Sequence, residues 1–154
     1  MATRKTLPIT DPLYVMAYNV MRKAGYNVST KKNTFTQVHC LPAKFAFQDN
    51  GFTETFIQDD MGQRMRVVYF LPGQCLQAHY HTVVDEQFVI TGGSVDVRVG
   101  TIASAVAAAI ATDMHAGDTI NVAANQWHSL TACALTGVIF HETVDSAQRT
   151  THWV

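Results

Sequence analysis

Two histidines separated by a single residue, His79 and His81, are the residues whose type and spacing most directly suggest chemistry. On an extended strand the side-chain period is two, so both imidazoles face one way and Tyr80 the other. Two imidazoles on one face can reach one metal ion. Glu86 follows five residues after His81, past an expected bend, and can return a carboxylate to the same point from the next strand. Two histidines and one carboxylate leave open positions on a metal. His128, in a later segment, can close the set at four protein ligands. The plainer alternative is a pair of interior histidines that share a face without an ion.

Other side chains qualify as candidates by parity. Cys75 and Gln77 alternate with His79 and His81, so both are expected to face the same interior. Gln77 is then placed to hydrogen-bond a substrate or a metal-bound water, or to be a satisfied interior amide. Cys75 reads as a small buried hydrophobe rather than a reactive thiol. His141 and Glu142 are adjacent, so only one of them can face inward; His141 is a candidate base or half of a surface pair. His39 and His115 read as structural. The chain has no GxSxG elbow, no HExxH helix and no phosphate-cradling Gly-rich loop.

The elements that must position these groups are short. Residues 11–25 read as a helix: Asp11 caps it, Pro12 suits its first turn, and Gly25 ends it. Leu13, Met16, Ala17, Val20, Met21 and Ala24 form its apolar stripe. From there the pattern changes to strands, expected at 35–41, 52–57, 64–71, 74–84, 87–91, 94–100, 119–122, 127–132 and 137–144. Gly92-Gly93 is expected to end a strand in a turn. The Ala-rich stretch 101–112 is compatible with a short helix, a hairpin extension or a buried interface segment. Many short strands at regular spacing imply an antiparallel sandwich or barrel.

The spacing around the histidines is more informative than their types. Gly73, five residues, His79-Tyr80-His81, four residues, Glu86, six residues and Gly93 form one motif; Gly117, ten residues and His128 form another. Together they resemble the two motifs of the cupin superfamily, over about residues 66–132. The resemblance implies an all-β, cupin-type jelly-roll β-barrel, here with an N-terminal α-helix. It also places His79, His81, Glu86 and His128 on the family's metal-ligand positions. Two departures fall in the second motif, where Ala123 replaces the family's Pro and Asn125 its Gly. Asn tolerates the left-handed conformation, so the turn is expected to survive. Ala132 stands where some members have Asn, which weakens transfer of any one subfamily's activity.

One domain, 1–154, is expected: an arm and helix at 1–34, the barrel at 35–144 and a tail at 145–154, which Trp153 can pin by packing. The 154 residues suffice for one core. The net charge of −1 gives no nucleic-acid signal. Residues 1–44 nevertheless hold seven Lys and Arg against one acid, Asp11, and read as an arm that docks on its own barrel or a partner's. Only 15% of residues are charged, against a typical ~25%, which fits surface hidden in a homodimer or simply a plain compact barrel. The three cysteines, Cys40, Cys75 and Cys133, form no CxxC pair and suggest no disulfide framework. No apolar run is long enough to span a bilayer, and the expected location is cytoplasmic. The expected cofactor is one divalent transition metal per chain: Fe, Mn, Ni, Cu or Zn. The cupin resemblance spans several chemistries, of which an oxygenase-type oxidoreductase acting on a small organic molecule is the first expectation. Metal-dependent isomerase, epimerase or lyase chemistry is the alternative, and non-catalytic ligand or metal binding the third.

Overall fold

A computed structural model describes residues 2–40, 52–60, 63–82, 85–110, 112–144 and 150–153. Among these residues, eleven strands and two helices follow in the order β1 (Ala2–Thr6), α1 (Pro12–Lys23), β2 (Thr36–Cys40), β3 (Phe52–Asp60), β4 (Gln63–Phe70), β5 (Cys75–Thr82), β6 (Glu86–Gly100), α2 (Ala103–Ala108), β7 (Thr112–His115), β8 (Thr119–Val122), β9 (Trp127–Ala132), β10 (Val138–Val144) and β11 (Thr150–Trp153). All strand pairs among the described residues are antiparallel, in the order β1-β2-β3-β4-β10-β6-β9-β5-β11, with β7 and β8 also on β6. The sheet curls on itself as the alternating pattern predicts of a sandwich or barrel, and in the manner of the jelly roll that the cupin resemblance implies. None of the described helices is long and apolar enough to cross a membrane.

Strand alternation divides the apolar residues into two cores. Val68, Phe70, Phe88, Ile90, Leu130, Val138 and Phe140 fill the barrel interior. Val67, Tyr69 and Ile139, one residue out of phase, face outward and meet helix α1 through Tyr14, Ala17 and Met21. Asp11 caps that helix by accepting from the Leu13 N–H at 2.8 Å. The expected stripe holds at Ala17 and Met21, which are buried, and at Leu13, Val20 and Ala24, which pack beside them; two positions differ. Tyr14 lies at its centre, with its ring 4.6 Å from that of Phe35, while Met16 is 45% exposed rather than core. A large aromatic ring removes more apolar surface than a thioether, so it captures the buried position.

Strand β6 corrects one expectation. Gly92-Gly93 does not end a strand; β6 runs through it for 15 residues. Its first part pairs with β10 and β8, its second with β9 and β7. A register shift between Ile139 and Phe140 on β10 leaves Thr91 as an extra residue, and the inward phase changes from Phe88 and Ile90 to Val95 and Val97. Gly93 has φ +69°, and a Cβ there would collide with the Gly137 carbonyl. Gly93→Ala is therefore expected to cost at least about 1–3 kcal/mol in urea denaturation. A loss within measurement error would show that the bend relaxes freely.

The ends of the chain enter the sheet. The N-terminal arm supplies β1, paired with β2, and the tail supplies β11, paired with β5. The stretch 101–112 contains the short helix α2, and β7 follows it. Cys75 and Cys133 are free thiols. The side chains of His39, Cys40 and Trp153 lie outside the described residues.

Candidate metal centre

Three strands deliver four polar side chains to one buried point. β5 carries His79 and His81, β6 begins with Glu86, and β9 carries His128. Their exposures are 3%, 5%, 3% and 0%. One ring nitrogen from each of His79, His81 and His128 lies within 4.8 Å of the others. The Glu86 carboxylate completes the group: Oε1 is 3.1 Å from His81 Nε2 and Oε2 is 3.4 Å from His128 Nε2.

A local irregularity creates this arrangement. Leu76 pairs with Leu130 and His79 with His128, so three residues of β5 span two of β9. This bulge shifts the phase of β5. Leu76, not Cys75, joins the barrel core, and Cys75 is only partly buried. The parity expected for Cys75 is thus overturned. Gln77 falls in the bulge, and its contribution to the centre is its main-chain carbonyl, 2.7 Å from His79 Nδ1.

The ring tautomers follow from those partners. A carbonyl only accepts, so His79 Nδ1 must carry its hydrogen, which in the neutral ring leaves Nε2 unprotonated. His128 is held likewise, with Nδ1 3.1 Å from the Gln126 carbonyl. Its Nε2 is buried and has no hydrogen-bond partner among the described residues. Outward Nδ1–H donation that fixes an inward-facing Nε2 is the arrangement metal-bound histidines use. The donor set therefore fits a transition metal, and His79, His81 and His128 can hold one. The turn before His128 survives its substitutions: Asn125 has φ 65°, the left-handed conformation that Gly would supply.

Burial pushes the His79 imidazole well below its usual value, and the neighbouring His128 adds to this. A depressed histidine is neutral in the folded chain but takes up a proton on unfolding. Metal-free protein is thus expected to lose stability as pH falls below 6.5, before the Glu54 carboxylate begins to titrate below 4.5. Urea midpoints across that window test this, and a His79→Gln variant should show a shallower slope.

Sequence parity left one of His141 and Glu142 for the interior, and Glu142 takes it at 1% exposure. Its carboxylate accepts from Arg66 Nε at 3.0 Å and from Nη2 at 2.7 Å. Arg66 also pairs with Glu54, which in turn accepts from Arg4 on β1. Burial opposes the charge on Arg66, but Glu142 and Glu54 outweigh it and raise the guanidinium pKa, with Glu86 contributing. Burial likewise pushes the Glu54 carboxyl up, and Arg66 with Arg4 brings it net below the usual range. His141 lies in the opposite phase, on the outer face, with Nδ1 2.8 Å from the Tyr26 hydroxyl. The structure does not bring it to the centre, so its candidacy as a pocket base has no support in the geometry. A cavity of about 500 Å³ borders Glu86 and is lined by Asp85, Gln87, Asn121 and Gln126 among others.

Comparison with known proteins places this geometry in a fold. No family model matches the sequence, and no curated protein does either. Solved structures do match. A cupin-2 domain protein from Rhodospirillum rubrum superposes with TM-score 0.57 at 17% identity, covering 67% of this chain and 65% of that one. A conserved protein with a double-stranded β-helix domain from Klebsiella pneumoniae gives TM-score 0.54 at 18% identity, over 64% of this chain and 75% of that one. An oxalate oxidase, solved with the substrate analogue glycolate, gives 0.53 at 19% identity, over 60% of this chain but only 46% of its own. The fold is that of the cupin superfamily.

Proposed function

We propose that this chain is a metal-dependent small cupin that holds one divalent transition metal on His79, His81, Glu86 and His128. It acts, on this reading, as an oxygenase-type oxidoreductase on a small organic molecule. One observation carries the reading: three imidazoles from two strands bring one ring nitrogen each within 4.8 Å of one another, and the buried Glu86 carboxylate lies beside two of them, His81 and His128. Bound there, the metal supplies Lewis acidity or redox capacity. The protein's part is to hold the ligand tautomers, exclude water and limit access. The centre is at most 5% exposed, so whatever reaches it is small. The cavity beside Glu86 supports an approach from that side. Likeness of fold to an oxalate oxidase is compatible with small-acid chemistry in this barrel.

Near-complete burial also favours a second reading, in which the ion is structural or sensory and nothing turns over. Metal analysis of protein as isolated, followed by oxygen uptake with small diols, diketones and dicarboxylates, separates the two. Stoichiometric metal with oxygen consumption supports the oxidoreductase. Proton exchange without oxygen would move the assignment to an isomerase or lyase. Tight metal with neither reaction would leave the binding protein.

A further inference from the structure

The three imidazoles are not held alike. His79 and His128 each rest on a carbonyl two residues back on or just before their own strand, Gln77 and Gln126. His81 is anchored from elsewhere: its Nδ1 lies 3.0 Å from the Thr151 hydroxyl, on strand β11. That strand pairs with β5 in the register Thr151 to His81 and Trp153 to His79, directly beside both histidines. It is four residues long and forms one end of the sheet order. A carbonyl has one role, but a hydroxyl has two. When the Thr151 hydroxyl accepts from Nδ1–H, His81 Nε2 is left with a lone pair facing inward. When it donates to Nδ1, Nε2 carries the hydrogen and turns it to Glu86 Oε1, 3.1 Å away.

We infer that Thr151 is a positioning residue for the metal centre: strand β11 completes the site by fixing the ring of His81 in its ligating orientation. The inference rests on the metal-holding reading above. Outer hydrogen-bond partners of metal-bound histidines typically contribute ~10–100-fold to metal affinity. Thr151→Val keeps the shape and β propensity of the side chain and removes the hydroxyl, whereas Thr151→Ser keeps the hydroxyl.

The test uses the full chain stripped of metal and titrated with Co(II) against a competing chelator. Thr151→Val is expected to weaken Co(II) binding about 10–100-fold and to alter the visible absorption of the saturated protein. Thr151→Ser should restore both. Far-UV circular dichroism and the urea midpoint of the metal-free variants show whether the fold has changed. Should Val unsettle it, Thr151→Ala carries the same expectation. Unchanged affinity and spectrum in both the Val and the Ala variants would overturn the inference, as would a Ser variant as weak as Val. Those results differ from failure of the underlying reading, in which wild type takes up no Co(II) or His81→Ala binds it as tightly as wild type.

Discussion

Protein purified without chelator is expected to carry about one equivalent of a first-row metal per chain, and His81→Ala and Glu86→Ala to carry only background. The effect should be large because each side chain supplies something its neighbours cannot replace. His81 contributes a nitrogen that lies, with those of His79 and His128, inside a 4.8 Å group. Glu86 contributes the negative charge of the cluster, close to both His81 and His128. Without that carboxylate, a dication would enter a nearly dry pocket against neutral imidazoles alone, at a high desolvation cost. Elemental analysis of the three proteins prepared in parallel is the measurement. Full metal content in both variants would remove the ligand assignment. Metal-loaded protein should also melt at higher temperature than stripped protein, since binding to the folded form alone adds stability.

The second large effect is expected at Arg66. This guanidinium is 8% exposed and sits between Glu142 and Glu54, each 1% exposed. Replacing it with Met removes the guanidinium that both buried carboxylates share, while Glu54 keeps Arg4, half-exposed on β1. Breaking a buried ion pair on one side typically costs 3–5 kcal/mol, because the remaining charge has neither water nor partner. Arg66→Met is expected to lose about that much in urea denaturation. The triple variant Arg66→Met, Glu54→Gln, Glu142→Gln should recover much of the loss, since neutral amides are far cheaper to bury than carboxylates. A single variant as stable as wild type would mean that the network contributes nothing beyond its packing.

The two sites differ in how legible they were. The candidate ligand set was readable because HxH on a strand fixes a shared face, and because the spacing from Gly73 to Gly93 and from Gly117 to His128 resembles the cupin motifs. The helix and most strands were readable from period and caps. What alternation cannot register is an added residue. The bulge between Leu76 and His79 inverted the phase of Cys75, and the extra residue at Thr91 let β6 pass through Gly92-Gly93. Both are consequences of pairing with a partner strand distant in sequence. The Arg66 network was hidden for a related reason. A charged residue in a strand reads as solvent-facing, and only the approach of β3, β4 and β10 shows that Arg66, Glu54 and Glu142 neutralise one another. Strands β1 and β11 were missed because short polar ends have little pattern of their own; their partners make them strands.

Strand β6 gives the barrel a particular order of assembly. It begins at Glu86, and near its far end Val99 lies opposite His128 on β9. One continuous segment therefore supplies Glu86 to the centre at its start and pairs with the strand that carries His128 further along. The chain must close long loops before any ion can find its full complement of donors, and long closures are slow. On the metal-holding reading proposed above, capture of an ion is expected to follow closure of the strands that carry its donors, a latch on finished barrels rather than a seed for unfinished ones.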